Sequence, residues 1–141
     1  MSTLKVTNVA HETSTLNTLV FDNGGGSGNG RVTTKGTIGE ITAISYASTI
    51  TLDFRTGNNF STTLTGNTTF ANPSNISAGQ SGVLFITQDS TGSRTAAFGS
   101  YWDFSDGTAP TLSTGANQVD VIAWIARTNT NIAAQFIGNF S

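Results

Sequence analysis

The stretch AGQSGVLFITQDSTGSRTAAFGSYWDFSDGTAPTLSTGANQVDVIAW, residues 78–124, decides how this chain is read. It holds the densest apolar runs and both tryptophans, Trp102 and Trp124. Val83–Ile86 and Val119–Ile125 have no helical stripe, are rich in β-branched and aromatic residues, and are bounded by Gly, Asp, Ser and Asn. Such runs predict two central strands buried on both faces. Between them Asp89–Ser93 has turn chemistry, because Asp can bond the backbone that follows it and Gly can take positive φ. Arg94–Phe98 is then expected to return beside the Val83 strand as a hairpin.

Working outward, shorter β signals recur on both sides. Ile50, Leu52 and Phe54 alternate with polar residues, as a half-buried strand requires. Thr56–Asn59 turns the chain and Phe60, Thr62 and Leu64 return it, which predicts a second hairpin. Thr68–Ala71 reads as a short strand, Asn72–Asn75 as a break around Pro73, and Tyr101–Phe104 as an aromatic strand. Thr128–Asn131 turns the chain again, and Ile132–Phe140 closes the sheet. On the N-terminal side, Leu4–Val9 and Leu16–Asp22 are strand-like but short, and Gly24–Gly30 is expected to be a flexible linker. Strands at this spacing, with turn signals between them and no sustained helical period, predict an all-β fold. The expected form is an antiparallel β-sandwich, jelly-roll-like, over residues 31–141, with an extended N-terminal arm over residues 1–30.

Composition narrows the function. Only 10% of the 141 residues are charged, against about 25% in an ordinary globular protein, so Thr, Ser, Asn and Gly must make up much of the surface. A chain of 14.6 kDa still buries roughly two-thirds of its unfolded surface, enough for one core. The net charge of −2 and six scattered basic residues give no electrostatic footprint for nucleic acid. No segment has the roughly 20 apolar residues that span a bilayer as a helix. The first 20 residues lack a signal peptide's basic start and apolar run, so synthesis in a cytoplasm is expected. Without cysteine, disulfides and thiolate chemistry are excluded.

The inventory for catalysis is thin. His11 is the sole histidine and lies in a polar N-terminal stretch, so neither a Ser/His/Asp triad nor a multi-histidine metal site is expected. Asp103–Gly107 lacks the carboxylate spacing and terminal Glu of a calcium loop and reads as an Asp-Gly turn. Asp89 and Asp120 could be imagined as a glycosidase pair, but Asp89 is a turn former and Asp120 alternates along a buried strand. Gly24–Gly30 has no phosphate-binding signature. The expectation is a chain with no catalytic residues, no cofactor and no metal. Of the aromatic residues, Trp124 belongs in the core, while Trp102 is read as packing or filling a subunit interface, with stacking on a sugar as the alternative. Asn59, Asn67, Asn75 and Asn139 begin N-x-[ST] sequons, read as chance products of an Asn- and Thr-rich chain.

The segments Ala78–Gly82 with VLFITQD, Gly92–Thr95, Trp102–Phe104, Gly107–Leu112 and Val119–Val121 together resemble a module of bacteriophage virion proteins, cyanophage-like. Such modules occur in tail fibres and capsid-associated proteins, and Met1–Val6 is similar to the start of many of them. The resemblance implies a structural role. A short β-domain with an arm and no shaft repeat looks more like a capsid decoration, or cement, protein, implying a homotrimer on the capsid surface that contacts the major capsid protein. The alternative is a tail-fibre or receptor-binding protein that contacts a host-surface glycan. Leu4, Val6, Val9, Leu19, Val20 and Phe21 precede the glycine run and are too few for a core, so they are expected to bind a partner by adding strands to a neighbour's sheet edge. Trp102 joins them as a partner-binding candidate.

Overall fold

Alternating and β-branched segments become strands over most of the predicted positions. The computed structural model describes residues 38–140. In order they are β1 (Ile41–Ala43), β2 (Thr49–Ile50), β3 (Asn59–Leu64), β4 (Thr68–Phe70), β5 (Ser81–Gln88), β6 (Ala96–Phe98), β7 (Trp102–Phe104), β8 (Val119–Thr128) and β9 (Asn131–Phe140). There is no α-helix among the described residues, only a 3₁₀ turn at Ser105–Gly107. The expected arm, its partner-binding residues Leu4, Val6, Val9, Leu19, Val20 and Phe21, and the expected boundary at residues 30 and 31 lie outside the described residues.

The strands form a six-stranded sheet in the order β1-β3-β5-β8-β9-β7 and a three-stranded sheet in the order β2-β4-β6. From β1 to β6 the chain alternates between the sheets, each strand stacking in parallel on the strand two places before it. Thr42, Phe60 and Leu84 share one rung of the large sheet, and Ile50, Phe70 and Phe98 share one rung of the small sheet. A parallel bridge between Asp53 and Ser74 carries the stacking around a corner. Antiparallel pairing is confined to β5 with β8 and β8 with β9, and β7 closes the far edge parallel to β9.

The sheets are therefore mixed, which corrects the antiparallel expectation. The segment around Ile50–Phe54 does not form a hairpin with Phe60–Leu64, because β2 pairs with β4 while β3 lies between β1 and β5. Nor does Arg94–Phe98 return beside the Val83 strand, for β6 joins β4 in the other sheet. The turn after Asp89 forms where turn chemistry was expected, whereas the first lies at Asp53–Thr56 instead of the expected Thr56–Asn59, and each turns a corner between sheets. At the first, Asp53 accepts the N–H of Arg55 on Oδ1 at 2.9 Å and the N–H of Thr56 on its carbonyl at 3.0 Å.

Alternation does fix which side chains point inward. Phe60, Leu64, Leu84, Ile86, Ile122 and Ile132 of the large sheet share one core with Ile50 and Phe70 of the small sheet and with Leu52, Phe54 and Leu112 of the connections. Full burial of side chains of this size stabilises the fold by about 1.5–3 kcal/mol each. Phe54 binds the halves together: its ring stacks on Trp124 at 4.1 Å and on Phe60 at 5.8 Å and meets Trp102 edge-on at 6.5 Å.

Candidate functional site

With one face of the large sheet turned to the core, the other carries Asn59, Ser61 and Thr63 of β3, Val83, Phe85 and Thr87 of β5, the odd-numbered residues of β8 from Val119 to Ile125, and Ala133, Gln135 and Ile137 of β9, after which a register shift sets Phe140 opposite Val119. This outer face divides by chemistry into a hydroxyl half and an apolar half. The hydroxyl half follows from the shortness of β1, which pairs with β3 only at Asn59–Ser61. After Ile44 donates its N–H to the Ser61 carbonyl at 2.7 Å, the chain leaves the edge, so among the described residues β3 has no strand partner on that side from Thr62 to Leu64. An open groove of about 470 Å³ results, lined by Ser45, Tyr46, Ser61, Thr63, Thr65 and Thr87 above Ala43 and Ile44.

Among the described residues no charged side chain lines this groove, and its polar side chains carry hydroxyls that both donate and accept hydrogen bonds. Tyr46 stands at its end with 36% of its surface exposed, its hydroxyl donating to the Asn67 carbonyl at 3.1 Å. Gly66 makes room for that ring, since a Cβ there would lie 2.4 Å from the Tyr46 Oη. A fixed aromatic ring beside a row of hydroxyls is suited to a neutral, polyhydroxylated ligand.

Residues 29–130, well over half of the chain, match the family described as "Putative phage tail fibre C-terminal domain". The chain belongs to that family. As a tail-fibre family member it is a phage virion structural module, as the sequence resemblance implied. No curated protein and no solved structure matches it.

Within this tail-fibre domain, the candidates from sequence fall mainly into structural roles. Trp102 is buried at 6% exposure, its indole N–H donating to the Ala71 carbonyl at 3.2 Å and its ring packed edge-on against Phe98 and Phe54. Its neighbour Asp103 is the residue of β7 that faces out, beside Arg127 at 3.6 Å and hydrogen-bonded to the Asn131 amide. Asp89 receives Arg94 through both carboxylate oxygens, with the shortest contact 2.7 Å, and also accepts the N–H groups of Thr91 and Gly92. The Arg94 guanidinium, helped by those N–H groups, holds the Asp89 carboxyl below the usual carboxylate range.

Asp120 is 1% exposed and accepts backbone N–H groups from Ser113 at 2.8 Å and Asn139 at 3.0 Å, so it ties two chain segments to the end of β8. Among the described residues no three His, Asp or Glu side chains gather to hold a metal ion. The hydroxyl groove was missed at the sequence level because Ser and Thr are ordinary on a half-exposed strand. The available signal was the outward series Ser61, Thr63 and Thr65, set against inward Phe60 and Leu64.

Proposed function

We propose that this chain is the part of a phage tail fibre that touches the host surface, and that it binds a neutral saccharide there without catalysis. Membership of the tail-fibre C-terminal domain family carries this reading, and it supports the tail over the capsid-cement role that the chain's short length suggested. The uncharged, hydroxyl-lined groove beside Tyr46 supports the ligand class. We also read the two sheets as the layers of one sandwich, because a single core draws on both; the parallel stacking of β1 to β6 favours coiled connectivity over a jelly roll.

Purified full-length protein should compete with the intact phage for adsorption to its host cells, and Ser61→Arg with Thr63→Arg should abolish that competition while leaving the circular dichroism unchanged. Equal competition by the double variant would remove the groove from the reading. Antibody labelling of virions that decorated the head lattice would instead restore the cement role.

A further inference from the structure

Strand pairing leaves two backbone groups over in the hydroxyl groove. Along β3 the backbone turns alternately to its two neighbours: the Ser61 carbonyl accepts the Ile44 N–H on the β1 side, and the Leu64 carbonyl accepts the Asp89 N–H on the β5 side. By that alternation the N–H and C=O of Thr63 both point to the β1 side, where β1 has already ended at Ala43. Among the described residues neither group has a backbone partner. Thr63 is exposed, and Thr62 and Leu64 beside it turn their backbone to β5, so the gap in the ladder is one residue long. Thr62, 4% exposed and also lining the groove, carries a hydroxyl with no hydrogen-bond partner among the described residues. Unmet hydrogen-bonding capacity is concentrated at this one break, and such groups call for a partner.

We infer that the gap at Thr63 reads two adjacent free hydroxyls on one neutral sugar residue. This rests on the groove being the saccharide site and states what that site selects. Thr63 offers one donor and one acceptor side by side, pointing the same way. Adjacent sugar hydroxyls match that pair, since each can donate or accept and the two project together. An acetamido group does not, because the N–H and C=O of a trans amide point in opposite directions. Nor does the gap suit an added peptide strand, which meets a residue with groups from two successive peptide units and needs an edge open along its length. Here Ala43 and Ile44 occupy the edge on one side of Thr63, and the Tyr46 ring stands at the end of the groove.

Binding of the full-length protein to immobilised host-cell envelopes tests the inference. Periodate cleaves the bond between carbons that carry adjacent free hydroxyls and leaves acetamido groups and isolated hydroxyls intact. Treating the envelopes with periodate and then borohydride is expected to abolish binding, and treating them with proteinase to leave it unchanged. Thr63→Pro removes the N–H at an edge position of the kind that accepts proline, while Thr63→Ala keeps it. Both lose the side-chain hydroxyl, so the proline variant is expected to bind about tenfold more weakly than the alanine variant, with the circular dichroism of both unchanged. Should the proline variant fail to fold, the periodate comparison decides alone. Binding that survives periodate, or equal affinity of the two folded variants, would overturn the inference while leaving the groove as the site if Ser61→Arg with Thr63→Arg still abolishes competition. Binding lost to proteinase would overturn it in favour of a peptide ligand. Absence of binding to untreated envelopes would remove the groove reading and this inference with it.

Discussion

Gly92 and Gly107 both hold positive φ, at +72° and +65°, yet they differ in what surrounds them. A Cβ on Gly92 would lie 2.4 Å from the Thr114 carbonyl oxygen and 2.9 Å from the Ala116 nitrogen, while one on Gly107 would meet nothing within 4 Å. Gly107→Ala therefore incurs only left-handed backbone strain, about 1–2 kcal/mol. Gly92→Ala adds an overlap with backbone that cannot swing aside, about 1–3 kcal/mol more. Urea unfolding at neutral pH should separate the two variants by that difference. Equal losses would show that residues 114–116 yield freely to the added methyl group.

At the scale of the element, the connection from β5 to β6 shows how a local turn chooses a sheet. The Gln88 side chain, 1% exposed, donates to the Arg94 carbonyl at 3.0 Å and accepts the Arg94 N–H at 2.8 Å, closing the loop that Asp89 caps from within. Asp89 has a lower pKa folded than unfolded because Arg94 and the turn's N–H groups favour the carboxylate. Its contribution to stability is thus complete above the unfolded value of about 3.9 and fades as pH falls through the folded value. The Asn75 amide and the Arg55 N–H lower Asp53 in the same direction at the other corner. Asp89→Asn should lower the thermal midpoint at pH 7, and the gap from wild type should narrow once pH drops below about 4. A gap that stays constant down to strongly acid pH would mean that charge at the turn contributes nothing. The turn itself was legible in Asp89–Ser93, and so were the inward positions Phe60, Thr62 and Leu64 of β3, because period-two alternation is a local property; the continuous apolar runs of β5 and β8 carried no such alternation and read as buried on both faces, whereas one face of each is only partly covered. The pairing was not legible. Phe60 meets Thr42 and Leu84 across long parallel crossovers, and nothing near Asp53 or Asp89 in sequence distinguishes a corner from a hairpin.

For the molecule as a whole, the sequence revealed the core better than the site. The sequence left Trp102 open between packing, a subunit interface and a glycan contact, and it packs inward on β7; the groove hydroxyls became a site only when the parallel stack brought Thr87 beside Ser61 and Thr63. The residue on which this assembly most depends is Phe54, 2% exposed in a connection outside any strand and in contact with Phe60, Trp102 and Trp124. Its loss removes packing shared by both sheets, so Phe54→Ala should destabilise by about 3–5 kcal/mol, a large part of the 5–15 kcal/mol typical of a domain. Tryptophan fluorescence reports on Trp102 and Trp124 in the shared core, and far-ultraviolet circular dichroism reports on the strands of both sheets. If the sheets stand on one core, both signals should move to lower urea together and keep a common midpoint. A variant whose fluorescence transition separated from its dichroism transition would mean that the small sheet can let go while the large sheet persists, and that the stacked coils have no single cooperative core.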